Sequence, residues 1–152
     1  MGVRVPSSAS TAVALVALFV LAAVGAGCDK APTSPSDYAA FSITDLRVGT
    51  GTEAVSGSVV EVHYTGWLYD TAKTDQKGAQ VDTSIDGDPI VFTLGTASVI
   101  DGWEQGMLGM KAGGLRRIVV PPALGYGGVR RGLIPPNATL VFEVDLISVD
   151  EG

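Results

Sequence analysis

The sequence contains one cysteine, Cys28, and one histidine, His63. A lone thiol cannot close an internal disulfide, and there is no Cys/His cluster to hold zinc. A Ser-His-Asp or Cys-His hydrolase would have to be built on His63 alone. Charge is also scarce, at 17% of residues, with a formal net charge of −6. A mildly acidic chain has no general attraction for phosphate backbones. Arg116-Arg117 and Arg130-Arg131 are too few for a nucleic-acid patch, so no nucleic-acid partner is expected. Gly125-Tyr126-Gly127-Gly128 lacks the Lys-Ser/Thr pair of a phosphate loop.

What is abundant points elsewhere. Apolar residues make up 46% of the chain, with 20 glycines and 8 prolines. Many turns suit an antiparallel β-rich domain better than a helical bundle. The 152 residues suffice for one domain once a targeting segment is set aside.

Such a segment is expected at residues 1–27. Val5 to Gly27 carries no charge, Arg4 precedes it, and Ala12–Val24 is a compact apolar core. It exits through Gly25-Ala26-Gly27, small residues suited to signal cleavage. The core is short for a bilayer span, which needs about 20 apolar residues. Cys28 follows at once and resembles the lipidated cysteine of bacterial lipoproteins, although Gly25 stands where a leucine-like residue is usual. That resemblance implies a lipid anchor at Cys28 and a membrane-tethered, exported domain outside the cell or in the periplasm. Residues 28–40 then read as anchor plus tether, since Asp29–Asp37 (DKAPTSPSD) is polar and proline-containing.

The rest, residues 41–152, reads as one folded domain. Ser58–Leu68 alternates, with Val60, Val62 and Tyr64 on one face and Glu61, His63 and Thr65 on the other. Pro89–Leu94, Leu115–Val120 and Thr139–Val149 read as further strands, and Phe41–Val48 as a weaker one. In the last strand Leu140, Phe142, Val144 and Leu146 share a face. Tyr69–Gly78 is polar and reads as an exposed loop or bulge. Between strands the period shifts: Ile100, Trp103, Met107 and Met110 recur at helical spacing. Ser98 or Asp101 is the expected cap, and Gly113-Gly114 the expected stop. The fold class is therefore α+β, an antiparallel sheet packed on one short amphipathic helix.

By themselves Trp103 and Phe142 read as core, and Asp82 beside Thr83-Ser84 as a turn residue. His63, on the polar strand face, reads as structural or solvent-facing. Tyr126 is a large side chain on a Gly-flanked, mobile loop, which favours a surface contact.

Together the motifs say more. Val62-His63-Tyr64-Thr65-Gly66, Asp82-Thr83-Ser84, Val99-Ile100-Asp101-Gly102-Trp103, Gly125-Tyr126-Gly127 and the run Ile134–Phe142 (IPPNATLVF) occur in that order. This set resembles the FKBP family of prolyl isomerases over nearly all of Phe41 to Asp150. The resemblance implies a bent sheet wrapped around one helix, with a shallow apolar pocket between them. It implies catalytic roles for Tyr64, Asp82, Ile100, Trp103, Tyr126 and Phe142. It implies substrate contacts from Val81, Ile90, Phe92, Val99 and Ile134, with Arg130 and Arg131 facing the groove. Partners would be proline-containing polypeptides and macrolide inhibitors; no metal or cofactor is needed, and a monomer is expected. Val81 and Ile90 stand where the family usually has aromatics, which thins the pocket rim. That departure bears on catalytic efficiency and macrolide affinity, and it leaves a non-catalytic or weakly catalytic proline-peptide-binding or chaperone module as the alternative.

Overall fold

The computed structural model describes residues 38–151. The expected signal segment, Cys28 and the tether as far as residue 37 lie outside the described residues. Among the described residues no helix is long and apolar enough to cross a membrane.

Six strands form one antiparallel sheet: β1 (Ser42–Arg47), β2 (Val59–Tyr69), β3 (Lys77–Thr83), β4 (Ile90–Thr93), β5 (Leu115–Val120) and β6 (Leu140–Asp150). The spatial order is β1-β5-β6-β2-β3. β4 also pairs with β2, at its start, from Val59↔Thr93 to Val62↔Ile90. β3 takes over along the second half, from Thr65↔Thr83 to Tyr69↔Lys77. The β2–β6 ladder is the spine, running from Val59↔Asp150 to Leu68↔Leu140.

Alternation on these strands builds the core. Val60, Val62, Ile118, Val120, Leu140, Val144 and Leu146 are completely buried on the inner face. Each such side chain contributes about 1.5–3 kcal/mol by leaving water. The β2–β6 register shifts between Glu61 and Val62, which pair with Ser148 and Leu146, so Ile147 is unopposed. This bulge carries the inward face from Leu146 to Val149 and leaves Ile147 exposed.

The helix α1 spans Asp101–Met107. Two turns cannot persist alone in water, so packing must hold them. Trp103 and Met107 are its buried anchors, with Gly102 and Gly106 also on the buried side. A Cβ on Gly106 would lie 2.7 Å from Ile118 Cδ1, so only glycine lets the helix sit this close to β5.

Both expected helix boundaries are corrected. Ile100 is the N-cap and makes no side-chain capping bond; Asp101 is the first helical residue, and Ser98 bonds Thr96 instead. Carboxylates at Asp101 and Glu104 complement the dipole there without a cap. The helix stops at Met107, and Gly109 at φ +73° turns the chain, well before Gly113-Gly114. Met110 is still buried but lies beyond the helix.

The C-terminal carbonyls find a donor from the sheet. Arg116 of β5 is 7% exposed, and its Nη1 donates to Gly106 O at 2.9 Å and Leu108 O at 3.1 Å. Its Nε and Nη2 donate to Asp45 on β1 at 2.6 and 3.2 Å. One side chain thus caps the helix and ties the edge strand.

The stretch read as a loop, Tyr69–Gly78, is partly strand. β3 begins at Lys77, and turn residues occupy the interval from Thr71 to Asp75. β3 is a polar edge strand with no inward apolar alternation, so periodicity did not reveal it.

Candidate active site

The bent sheet and α1 leave a half-open cavity of about 580 Å³ between them. Trp103 forms its floor, 4% exposed, carried on the first turn of the helix. Tyr64 from β2 meets it edge-on, ring centroids 4.9 Å apart at 81°. Phe142 from β6 meets it at 5.4 Å and 90°. Tyr64 and Phe142 lie 6.3 Å apart. Edge-to-face contacts of this kind fix ring orientation beyond what area burial alone would. The Trp103 indole nitrogen is buried without a partner, so the tryptophan acts here as an apolar surface.

Ile90, Val99, Ile100 and Ile134 add aliphatic wall. Val99 and Ile100 are set by the connection into α1, where Glu104 accepts the Gly95 N–H at 2.5 Å and Ala97 takes φ +54°. No described residue engages the Ile100 amide or the Tyr126 hydroxyl. Both are therefore free to donate to a guest carbonyl.

The mouth is polar. The Tyr64 hydroxyl donates to Asp82 Oδ2 at 2.5 Å, and the Thr83 N–H donates to Asp82 Oδ1 at 2.9 Å. Burial, then the hydrogen bond and charge of Asp82, push the Tyr64 phenol far above the usual tyrosine range. Burial and the Asp82 charge also raise Tyr126, against an opposing pull from Arg131. Both phenols stay protonated donors at physiological pH.

Backbone hydrogen bonds anchor the Tyr126 loop. Gly127 N donates to Pro122 O at 2.9 Å, Asn137 N to Gly127 O at 2.7 Å, and Val129 N to Tyr126 O at 3.2 Å. A short 3₁₀ turn at Pro122–Leu124 launches it.

All six side chains expected in the catalytic set line this one cavity. Among the expected substrate contacts Ile90, Val99 and Ile134 also line it, whereas Val81 and Phe92 do not. Asp82 pairs with Gly66 and Gln80 with Trp67, so Val81 is the bulged residue of β3 and packs against the core. Phe92 sits behind Trp103, centroids 5.9 Å apart, and supports the floor from outside the cavity. Arg131 lines the cavity and Arg130 does not. Gly125 of the Gly-Tyr-Gly motif lines it too, and Ala97, Ser98 and Val129 contribute lining that the motifs did not single out. His63 takes the structural role expected of it, its Nδ1 bonded to Ser84 Oγ at 3.1 Å. Among the described residues no group of His, Cys, Asp or Glu is arranged to hold a metal.

Residues 50–147 match the family of FKBP-type peptidyl-prolyl cis-trans isomerases. The chain belongs to this family. The chain is 47% identical over 111 residues to an FK506-binding protein of Neisseria meningitidis serogroup B, covering 72% of this chain and 95% of that one. It is 42% identical over 118 residues to an FK506-binding protein of Streptomyces anulatus, covering 76% of this chain and 88% of that one. The crystal structure of FkpA from Escherichia coli has the same fold, with a TM-score of 0.62 and 36% identity. The match covers 73% of this chain but only 48% of FkpA, so the chain spans about half of that protein. The antiparallel sheet around one short helix is thus the FKBP fold, and the aromatic cavity lies where sheet and helix of this FKBP domain meet.

Proposed function

We propose that this FKBP domain accelerates cis/trans rotation about X-Pro bonds and so assists the folding of exported polypeptides. The observation that carries the reading is the convergence of Tyr64, Trp103, Tyr126 and Phe142, from three strand-borne or helix-borne positions and one loop, on one half-open cavity.

The chemistry required is modest. Amide resonance sets a barrier of about 18–20 kcal/mol, and spontaneous exchange takes on the order of tens to hundreds of seconds. No bond is made or broken, so the site needs only to bind the twisted amide better than the planar one. Twisting removes the amide's charge separation, and an apolar cavity then favours the twisted state relative to water. Trp103, Tyr64 and Phe142 offer that surface to the pyrrolidine ring. The Ile100 N–H and Tyr126 hydroxyl hold flanking carbonyls in register. A barrier lowered by about 5–8 kcal/mol corresponds to roughly 10⁴–10⁶-fold acceleration.

Ile90 favours a second reading. It lines the cavity with an aliphatic side chain, and a smaller aromatic surface would bind proline peptides without much turnover. A protease-coupled assay on an X-Pro peptide separates the two. Acceleration that falls in Asp82→Ala and Trp103→Ala supports catalysis; intact peptide binding with no acceleration supports the module. Macrolide inhibitors would occupy the same cavity and compete with the peptide.

Export and anchoring belong to the same proposal. The apolar leader and Cys28 support cleavage before an acylated cysteine, with the domain held near a membrane by a polar tether. Incorporation of labelled palmitate, lost in Cys28→Ala, tests it; unlabelled wild-type protein rejects it.

A further inference from the structure

We propose that Arg131 gives the cavity a charge preference, selecting proline peptides with an acidic residue next to the proline; this rests on the isomerase reading of the same site. Arg131 lines the cavity beside Ile134 and is clamped there by two backbone hydrogen bonds. Its N–H donates to Ile134 O at 3.0 Å, and the Ile134 N–H donates to Arg131 O at 2.8 Å. Gly132 at φ +52° closes the tight turn between them. The guanidinium stands 5.9 Å from the Tyr126 ring centroid, a cation–π distance that orients it along the cavity wall.

Arg47, Lys77, Arg116 and Arg117 are each matched by a carboxylate. Lys73, Lys111, Arg130 and Arg131 all lack ion pairs among the described residues, and of these Arg131 alone lines the cavity. Arg131 is therefore the one cation lining the cavity, and the one carboxylate there, Asp82, is hydrogen-bonded to Tyr64 and Thr83 and not ion-paired to it. A planar fork with free donors suits a carboxylate. Because Arg131 is exposed, screening keeps the effect moderate and salt-dependent.

The test uses the full chain and four peptides, with Glu or Lys placed immediately before or after one proline. Exchange rates and peptide affinities are measured in parallel at low and high salt. The expected result is a Glu-over-Lys ratio of about two- to fivefold on at least one side of the proline at low salt, the range of an exposed ion pair. The ratio falls toward one in high salt and in Arg131→Gln, and inverts in Arg131→Glu. Arg130→Gln, outside the cavity, leaves the ratio as in wild type. Equal handling of Glu and Lys peptides by the wild type overturns the inference even where catalysis is plain. Absence of acceleration for all four peptides sinks the isomerase reading instead, and the affinity ratios then still decide the charge preference.

Discussion

The Tyr64 hydroxyl donates a 2.5 Å hydrogen bond to Asp82, joining β2 to the edge strand β3 at the mouth of the cavity. Tyr64 also packs edge-on against Trp103. One side chain therefore links the polar rim to the apolar floor. Burial is the main reason the Tyr64 phenol resists ionisation, and this bond and the Asp82 charge add to it.

A pH consequence follows with a definite sign. The folded state holds the Tyr64 and Tyr126 phenols above their ordinary values. The unfolded chain therefore loses these protons first as pH rises past about 10. Stability from this source is complete below that pH and declines above it. Denaturation followed from pH 8 to 11 should show a steeper alkaline loss in wild type than in Tyr64→Phe. Parallel curves contradict the assignment.

At the acid end the sign reverses. Burial raises the Glu143 carboxyl, but hydrogen bonds from Lys77 and Arg117 outweigh it and hold the pKa below the ordinary range. That contribution is present above an ordinary carboxylate pKa of about 4.3 and is lost as pH falls through the lower folded value. Glu143→Gln should cost about 1 kcal/mol at neutral pH and shallow the acid limb of stability. An unchanged acid limb, measured by urea denaturation, argues against the network.

The helix that carries Trp103 depends on a strand residue. Arg116→Ala would strip two helix-end carbonyls of their donor and leave Asp45 unpaired. A loss of about 2–4 kcal/mol is expected, with weakened peptide binding. A change below about 0.5 kcal/mol in denaturant unfolding would show that the cap is ornamental.

Close packing of helix on sheet gives a further check. Gly106→Ala places a methyl group 2.7 Å from Ile118 Cδ1. Ile118 or the helix must shift, at a cost of about 1–3 kcal/mol. Thermal unfolding should register this, while Gln105→Ala, on the exposed side of the same helix, should not.

Much of this molecule was legible before any coordinates. Strand β5 has the expected bounds, Leu115–Val120, and the inward row Leu140, Phe142, Val144 and Leu146 is as read. The site was legible through the resemblance: five motifs in the FKBP family's order implied the roles, which the residues taken singly did not. What escaped has local causes. β3 owes its existence to pairing with β2, so its polar composition carries no period. The bulge that takes Val81 from the rim is a property of register, which a single strand does not display. The helix stops at Met107, short of the expected Gly113-Gly114, and its last carbonyls are met by Arg116, a strand residue that no helical pattern points to; at the other end neither Ser98 nor Asp101 caps it. Phe92 was placed on the correct strand but one layer too close to the cavity.

The floor of the cavity offers the most direct test. The Trp103 indole nitrogen has no partner, so Trp103→Phe should keep the fold and lose only ring area, whereas Trp103→Ala should cost about 3–5 kcal/mol. NMR exchange spectroscopy on a Leu-Pro peptide then reads the cis/trans rate without a coupled protease. Catalytic amounts of wild type should raise that rate by orders of magnitude, and folded Trp103→Phe should raise it much less. A wild type that binds the peptide and leaves its exchange rate unchanged contradicts the central claim.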